Sequence, residues 1–533
     1  MNKFLLKGVA AMLCMATMFG NVACSDDNDD PAKVSVTAVA LDKTTLSLKP
    51  AATAKLAVTI TPSEATTKTV TWTSSDDKVA TVSDGTVTAV AVGTATITVK
   101  TDDGGLTASC AVTVSEDAPE GKDVVLQGEI KSDMTLKAID NNLLSGFVYV
   151  TDGVTLTIEP GTVIKGEKAT EGSLIVEPGG KIIAEGTVEK PIVFTSDQPA
   201  GSRTYGDWGG LILCGNAPVN ATTKPQIEGG PRTTYGGNKP EDNSGIVKYV
   251  RIEFAGYPLE PNKEINGLTL GGVGRGTTLE YIQVSYCGDD SFEWFGGTVN
   301  AKHLIAYKGW DDEFDTDYGY SGKLQFLLGV RDPKVADTSK SNGFESDNDA
   351  NGSGNEPLTK PIFSNVTLIG PFYGESAGKA ESEILYTTDD AANGAKGGQF
   401  QAAMHIRRNS ALNVYNSVFT GWPYGLYLQG ANAGATVKNV IFAGMWENFK
   451  DDASKSYFET TGLNNQVYAS SNDLIAKNAD YSSVVVDKIG GAEFSDAVLS
   501  DSFFDKVTYK GAFDGTNDWT AGWANWDPQN TAY

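Results

Sequence analysis

Acidic residues follow a repeated phenylalanine in the middle of the chain. The segments GDDSFEWF, WDDEFDTD and SNGFESDN each place a carboxylate directly after Phe292, Phe314 or Phe344. The phenylalanines are 22 and 30 residues apart, which suits successive coils of a parallel β-solenoid with a loop inserted in the second interval. Equivalent positions of neighbouring coils stack about 4.8 Å apart. We therefore expect the phenylalanines to point inward and the carboxylates outward, where such close like charges need cations, hydrogen-bond donors or a cationic ligand.

The carboxylates of the first two coils form a candidate Ca²⁺ site, because hard cations bind clustered oxygen atoms and Ca²⁺ takes about six to eight of them. The predicted metal ligands are Asp289, Asp290, Glu293, Asp311, Asp312, Asp315 and Asp317. Glu345, Asp347 and Asp349 continue the acidic set on the third coil. Two alternatives remain open. The aspartates could cap the corners of the solenoid by accepting backbone N–H groups, or Asp290 and Asp312 could be the carboxyl pair of a glycoside hydrolase.

A further column of side chains stands two residues before each phenylalanine, at Asp290, Asp312 and Asn342. Asn342 carries no charge, so this acidic column ends at the second coil. The longer interval before the third coil could also move that coil out of alignment. On that interpretation the site spans only the coils of Phe292 and Phe314.

Aromatic and basic side chains near the acidic set are candidate ligand contacts. Sugar-binding sites combine rings that stack on the sugar with polar groups that bind its hydroxyls. The predicted ligand-binding residues are Trp294, Trp310, Tyr318, Tyr320, Arg407 and Arg408. The rings could equally fill the core, and the arginine pair could simply neutralise the acidic column. His303 and His405 are the only histidines, which is too few for a histidine-rich transition-metal site.

The composition limits the ligand classes. The formal net charge of the 533 residues is −25, which argues against nucleic acid and against anionic polysaccharides such as pectin. The five cysteines are scattered and form no disulfide framework. We expect no organic cofactor.

Residues 34–116 form a block in which polar and apolar residues alternate, the period of half-buried strands. The run TVTWTSSDDKVATVSDGTVTAVAVGTATITV closely resembles the bacterial immunoglobulin-like (group 2) domain, with Trp72 at the position of the family's core tryptophan. The resemblance implies an Ig-like β-sandwich that acts as a spacer or an adhesion module. Residues 117–123 are predicted to be a linker.

From residue 124 the chain consists of short strands broken by glycine, such as VTLTIEPGTVIKGE and GSLIVEPGGKIIAEG. This pattern resembles the pectin-lyase-like right-handed β-helix superfamily, and residues 245–330 are similar to uncharacterised β-helix lipoproteins of Bacteroidetes. We therefore predict an all-β protein in which an N-terminal Ig-like β-sandwich is followed by a large right-handed parallel β-helix over residues 124–445. Residues 446–533 are predicted to fold back and cap the open end of the β-helix.

The first residues resemble a bacterial lipoprotein signal, with Lys3 and Lys7 before an apolar stretch and small residues before Cys24. The resemblance implies a signal peptide over residues 1–23, lipidation of Cys24 and an acidic tether over residues 24–33. The run SDDNDD resembles the export signal of Bacteroidetes surface lipoproteins. We expect a protein that is anchored by lipid in the cell outer membrane and exposed at the cell surface.

These features support three functional hypotheses. The leading one is a surface lipoprotein that captures an extracellular ligand, with a glycan favoured, on a β-helix face that holds Ca²⁺. The second is a β-helix polysaccharide hydrolase or lyase. Lyase chemistry on uronates would need a basic residue to abstract a proton, and His405–Arg408 is the only basic cluster suitably placed. The third is an adhesin, or a capture protein for another nutrient such as a corrinoid that partners a TonB-dependent transporter.

Overall fold

The computed structural model separates into an N-terminal unit and a C-terminal unit. It describes residues 33–116, 121–258, 264–372, 379–385, 398–430, 434–471 and 489–533. The predicted signal peptide and Cys24 lie outside these residues, as do nearly all of the acidic tether and most of the linker. None of the helices in the described residues is long and apolar enough to cross a membrane.

The N-terminal unit is a β-sandwich. Its strands are β1 (Ala38–Leu41), β2 (Thr45–Leu48), β3 (Thr53–Lys55), β4 (Val58–Thr61), β5 (Val70–Ser74), β6 (Ala80–Ser83), β7 (Thr86–Ala89), β8 (Gly93–Thr101) and β9 (Thr107–Val114). The order β2-β9-β8-β5 forms one sheet and β3-β7-β6 another, while β1 pairs with β4. Burial alternates along β8 and β9 as the sequence does, because successive side chains of a strand point to opposite faces.

The core of the β-sandwich lies between its sheets. Trp72 is half-buried and packs against this core, which includes Val87 and Ile97. The turn before β7 requires glycine at position 85, where φ is +75°. A Cβ atom on Gly85 would meet the carbonyl oxygen of Leu56 at 2.7 Å.

The C-terminal unit is a parallel β-helix. Its 26 strands form one continuous sheet, and the pairings between coils are parallel. These pairings define three faces, and we call the first of them the site face. It is formed by the second half of β12 (Asn141–Val150), β15 (Ser173–Val176), β18 (Leu211–Cys214), β20 (Leu268–Gly271), β22 (Phe292–Phe295), β24 (Phe314–Asp317), β26 (Phe344–Ser346), β28 (Ala402–Arg407), β31 (Tyr424–Gln429) and β34 (Glu447–Phe449).

The other two faces share several long strands. The second face contains β11 (Met134–Leu136), β13 (Thr155–Ile158), β16 (Lys181–Glu185), β29 (Asn413–Tyr415) and β32 (Thr436–Lys438). The third face contains the first halves of β10 (Asp123–Ile130) and β12, whose second halves pair on the site face. It also contains β14 (Val163–Gly166), β17 (Ile192–Ser196), β30 (Val418–Thr420), β33 (Ile441–Ala443) and β35 (Gln466–Tyr468). Strands that bend from the second face to the third are β19 (Gly245–Glu253), β21 (Thr278–Ser285), β23 (Asn300–Tyr307), β25 (Lys323–Val330) and β27 (Ile362–Ile369).

The phenylalanines that set the predicted register point inward. Phe292, Phe314 and Phe344 are fully buried, and their ring centroids are 5.6 Å apart at each step. Each pairs with the next one coil away, so the third coil is in register with the first two. The expected displacement of that coil is wrong, because the extra residues loop out between β25 and β26 and leave the strand pairing intact.

A row of left-handed residues forms the corner between the second and third faces. Tyr249, Tyr281, His303, Phe326 and Asn365 hold equivalent positions there, with φ between +49° and +62°. The first four rings stack at centroid distances of 4.4, 4.2 and 5.2 Å. His303 is therefore a structural member of this corner.

Residues 489–533 run along the outside of this corner and do not cap the end of the β-helix as predicted. Asn416 and Asn365 donate side-chain hydrogen bonds to the carbonyls of Glu493 and Tyr509, and residues nearer the C-terminus contact earlier coils. Apolar side chains of this segment, including Trp523, pack on the third face. The segment contains the short antiparallel strands β36 (Ile489–Gly490) and β37 (Tyr509–Lys510).

The last coils extend beyond the predicted end of the β-helix at residue 445. Parallel pairing continues through β34 and β35. The helix α2 (Asp452–Phe458) covers the core at this end, where Phe458 stacks on Phe442 with ring centroids 4.3 Å apart. The only other α-helix in the described residues is the five-residue α1 (Glu381–Leu385).

Candidate cation and ligand site

A row of outward-facing side chains on the site face, called here the outer column, carries most of the chemistry. It consists of Glu293, Asp315, Glu345, His405 and Tyr427, each paired with the next across one coil. These side chains point outward because each follows an inward-pointing residue, and successive strand residues face opposite ways. Three carboxylates are thereby placed on successive coils, whose strands lie about 4.8 Å apart.

Asp290, Asp312 and Asn342 form a second row, the capping column, at the corner before the site face. Asp290 Oδ1 accepts the backbone N–H of Asp312 at 2.8 Å, and Asp312 Oδ1 accepts that of Asn342 at 2.5 Å. Asn342 Oδ1 accepts the N–H of Ala402 at 3.2 Å in the same way. All three are buried, with exposures of 7%, 4% and 0%. This arrangement matches the corner-capping alternative and gives no support to Asp290 and Asp312 as a catalytic pair, because a substrate would have little access to them.

The two columns together bring carboxylates close enough to share cations. Three groups have oxygen atoms that all lie within 4.8 Å of one another, namely Asp289 with Asp290 and Asp311, Asp290 with Glu293 and Asp315, and Asp312 with Asp315 and Glu345. Asp290 and Asp315 each belong to two groups. The Oδ1 atoms of Asp311 and Asp315 are buried and accept no hydrogen bond. Such convergent, unsatisfied oxygen atoms are the donor set that Ca²⁺ prefers.

Six of the seven predicted metal ligands belong to these groups, and Glu345 is an addition from the third coil. Asp317 lies apart from them, and one of its oxygens accepts the N–H of Tyr318 at 2.6 Å. Glu228 was not predicted, yet it lies beside Glu293. Asn266 donates hydrogen bonds to both of these carboxylates, at 2.9 Å for Glu228. Glu228 comes from the long loop between β18 and β19, which has no repeat and so gave no signal in the sequence.

Burial and mutual repulsion make the acidic cluster hard to ionise. Burial raises the pKa of Asp290, Asp312 and Asp315 well above their usual range, and neighbouring carboxylates raise it further. For the same main reason the pKa of Asp311 rises to about 7 and that of Asp317 to about 8. A cation among these groups would favour the charged forms and offset both effects.

The third and fourth coils of the site carry the compensating positive charge. Arg407 binds Asp347 at 2.9 Å and also contacts Glu345, while Arg408 binds Asp347 at 2.7 Å. Nδ1 of His405 lies 3.3 Å from Glu345. Although burial raises the pKa of Glu345, the His405 contact and the Arg407 charge bring it below its ordinary value. Arg407 and Arg408 therefore neutralise carboxylates of the third coil, which was the alternative to their being ligand contacts.

A polar depression, called here the basic cleft, opens at this end of the outer column. Its smaller, more enclosed part has a volume of about 230 Å³ and is lined by Lys340, His405, Tyr427, Gln429 and Lys450, among others. A wider part of about 600 Å³ adjoins it, and Arg407, Arg408 and Gln429 are among its lining residues. The Tyr427 ring stacks on His405 with centroids 4.7 Å apart and an interplanar angle of 6°. Tyr427 stands 22 residues after His405, the same interval as between Glu293 and Asp315, so the sequence carried a signal for its place in the outer column.

The predicted aromatic contacts are distributed differently. Trp294 and Tyr320 are fully buried and stack on each other in the core at 5.4 Å, so their assignment to a ligand face is wrong. Trp294 stands two residues after Phe292 and must share its inward direction. Trp310 and Tyr318 are half-buried and pack edge-on against Tyr205 and Phe295, and neither lines the basic cleft.

Curated relatives match this chain over short stretches. An alpha-L-arabinofuranosidase of Bifidobacterium longum is 46% identical over 85 residues, which is 16% of this chain and 8% of the relative. An Ig-like virion protein of Serratia phage KSP90 is 46% identical over 86 residues, 16% of this chain and 33% of the relative. An uncharacterised protein of Clostridium acetobutylicum is 43% identical over 91 residues, 17% and 9% of the two lengths. The chain thus spans a third or less of the length of each of these relatives.

Two protein families account for the two units. The bacterial Ig-like domain (group 2) matches residues 35–112, which extend from β1 through most of β9. The pectate-lyase like beta helix domain matches residues 128–524, which include the site face and most of the segment that runs along the corner. The second match spans most of the chain. The chain therefore belongs to the pectate-lyase-like β-helix family and carries a group 2 bacterial Ig-like domain before its β-helix.

Proposed function

We propose that this protein binds an extracellular glycan on the site face and that a divalent cation, with Ca²⁺ as the candidate, is held by the carboxylates there. The observation that carries the proposal is the continuity of the face. Carboxylate groups that share Asp290 and Asp315 adjoin a cleft whose lining includes Tyr427, Arg407 and Gln429. Sugar hydroxyl oxygens would complete the cation's coordination. The Tyr427 ring would stack on the sugar, and Arg407 and Gln429 would bind its polar groups.

The local charge of the cleft widens the range of glycans. The net charge of the whole chain argued against acidic polysaccharides, but Lys340, Lys450, Arg407 and Arg408 line the cleft. A glycan that carries carboxylates would meet this charge at one end and the cation at the other. Both neutral and acidic glycans therefore belong in a binding screen.

Arg407 is poorly suited to be the base of a lyase. A lyase base must give up its proton to accept one from the substrate. Despite burial, the charges of Glu345 and Asp347 raise the pKa of Arg407 above its already high ordinary value. Arg407 would thus act as a fixed cation and hydrogen-bond donor. Hydrolase and lyase activities remain the alternative function, and the absence of product distinguishes binding from both.

The cellular setting is also part of the proposal and is supported by the N-terminal sequence. We place the protein in the outer membrane, anchored through lipid on Cys24 and exposed at the surface. The glycan or another nutrient would then pass to a TonB-dependent transporter. An adhesin would use the same anchor without a transporter.

A binding screen with a panel of plant and host polysaccharides tests this function. We expect binding in Ca²⁺ that is lost in EDTA. Tyr427→Ala should weaken binding about tenfold, because aromatic stacking contributes about 0.5–1.5 kcal/mol beyond the area it buries. Tyr468→Ala, on the third face, is the matched control and should bind like the wild type. Formation of unsaturated or reducing-end products by the wild type, or binding that ignores both EDTA and Tyr427→Ala, would contradict the proposal.

A further inference from the structure

Arg331 is the largest charged side chain in the described residues that is fully buried, and it contacts the backbone of the corner that carries Asp311. Arg331 directly follows β25. Its guanidinium reaches the corner of the preceding coil, which leads into β24. Its Nη1 donates to the carbonyl of Gly309 at 2.8 Å and to that of Trp310 at 3.2 Å. Its Nη2 donates to the carbonyl of Asp311 and, on the next coil, to that of Asn342 at 3.2 Å.

These contacts fix the direction of the corner peptides. Three consecutive carbonyls, those of residues 309–311, turn toward one guanidinium, and the planar fork of arginine suits several acceptors at once. With the carbonyls held inward, the side chains of Asp311 and Asp312 are free to join the carboxylate groups described above. The bond to Asn342 ties the same corner to the third coil.

The charge of Arg331 is balanced inside the protein. Glu313 is 1% exposed, and its Oε1 atom lies 2.9 Å from Nε of Arg331. The Arg331 guanidinium also lies over the Trp422 ring, 5.6 Å from its centroid. The formal charges of the two side chains cancel, so the contribution of Arg331 to the acidic cluster is orientation of the backbone more than attraction of charge.

We propose that Arg331 is a positioning residue for the cation site, holding the 309–312 corner so that Asp311 and Asp312 converge with the outer column. This inference rests on the proposed cation function. It assigns a role to a residue that touches neither the cation nor the glycan. Its loss should change cation affinity even when net charge and folding are preserved.

The test uses Tb³⁺ as a luminescent substitute for Ca²⁺, with excitation of tryptophan, since Trp310 adjoins Asp311 in the chain. The double variant Arg331→Met/Glu313→Met removes the buried pair without changing net charge, a replacement that proteins often tolerate. We expect Tb³⁺ to bind at least tenfold more weakly. Arg331→Lys keeps the charge but cannot reach four carbonyls, so it should remain at least fivefold weaker than the wild type.

Arg203→Met is the matched control. Arg203 is also buried, at 3% exposure, and donates to the carbonyls of Pro528 and Thr531, away from the carboxylate groups. This variant should bind Tb³⁺ within twofold of the wild type, even if it unfolds more easily. Wild-type affinity in Arg331→Lys or in the double variant would overturn the role of Arg331. Failure of the wild type itself to bind Tb³⁺ would instead overturn the proposed cation site.

Discussion

Asp290 and Asp315 are close enough to share a cation, yet their surroundings give them different roles. One oxygen of Asp290 accepts a backbone N–H from the next coil, whereas Oδ1 of Asp315 is buried without a donor. Asn342 shows that the capping role needs an oxygen but no charge. The charges on Asp290 and Asp312 therefore serve no purpose in the backbone hydrogen bonds, and burial opposes them. The proposed cation would give these two charged residues a function.

The double substitution Asp290→Asn/Asp312→Asn separates the two roles. It keeps the carbonyl oxygens that cap the next coil and removes two buried charges. Because the pKa of each aspartate is raised, we expect the free energy of unfolding in EDTA at pH 7.5 to increase by at least about 1.4 kcal/mol, the equivalent of one pKa unit. Ca²⁺ affinity should fall at least tenfold. Urea unfolding with and without Ca²⁺ measures both effects.

Asp514→Asn is the control, and it should change the free energy of unfolding in the opposite direction. Hydrogen bonds from the backbone of Asn517 and Thr516 lower the pKa of Asp514, so its charge is favourable and its neutralisation should reduce stability. Asp514 belongs to none of the carboxylate groups. Ca²⁺ affinity should therefore be unchanged in this variant. A double variant that is less stable than the wild type in EDTA would show that the buried charges are tolerated without a cation.

At the level of the strand, the phenylalanine stack keeps the carboxylates in line. Phe314 lies between Phe292 and Phe344, with ring centroids 5.6 Å from each. Phe314→Ala should lower the free energy of unfolding by about 3–5 kcal/mol, the usual result of truncating a buried phenylalanine. Phe503 is a half-buried ring in the segment along the corner, so Phe503→Ala should lower the free energy of unfolding by clearly less. Equal losses in urea unfolding would mean that the stack does not anchor the site face.

The strands of the site face could be predicted from the sequence because they repeat. The spacing of the phenylalanines gave their inward direction, the outward direction of the next carboxylate and the parallel pairing of the coils. The same alternation, applied to Trp294, would have placed it in the core. Segments that do not repeat gave no such signal. The loop that brings Glu228 to Glu293 and the path of residues 489–533 depend on tertiary contacts, such as the bonds of Asn416 and Asn365 to that segment.

Across the whole β-helix, the outer surfaces are used unequally. The third face and its corner are covered by residues 489–533, where Trp523 and its neighbours pack on Ile305 and Leu328. The site face carries its carboxylate groups on the coils of Phe292, Phe314 and Phe344, and its basic cleft is lined mainly by later coils. We therefore propose that the cation and the glycan bind on one continuous face, where the carboxylates need a positive counter-charge.

The pH dependence of the free energy of unfolding tests this proposal, because raised carboxyl pKa values fix the direction in which stability changes with pH. A carboxyl whose pKa is higher in the folded state binds more protons when folded, so stability falls as pH rises from the unfolded value toward the folded one. For Asp311 and Asp317 that range runs from 3.8 to about 7 and about 8. Groups with a lowered pKa, such as Glu280 at about 2, change stability only below their ordinary pKa of 4.5.

The most direct measurement is urea unfolding from pH 5 to pH 8 in EDTA and again in Ca²⁺. In EDTA we predict that the free energy of unfolding decreases steadily as pH rises, because the acidic cluster is forced to ionise. In Ca²⁺ the decrease should disappear or reverse, because the cation binds the ionised carboxylates. Curves that superimpose over this range would contradict a cation site on the site face.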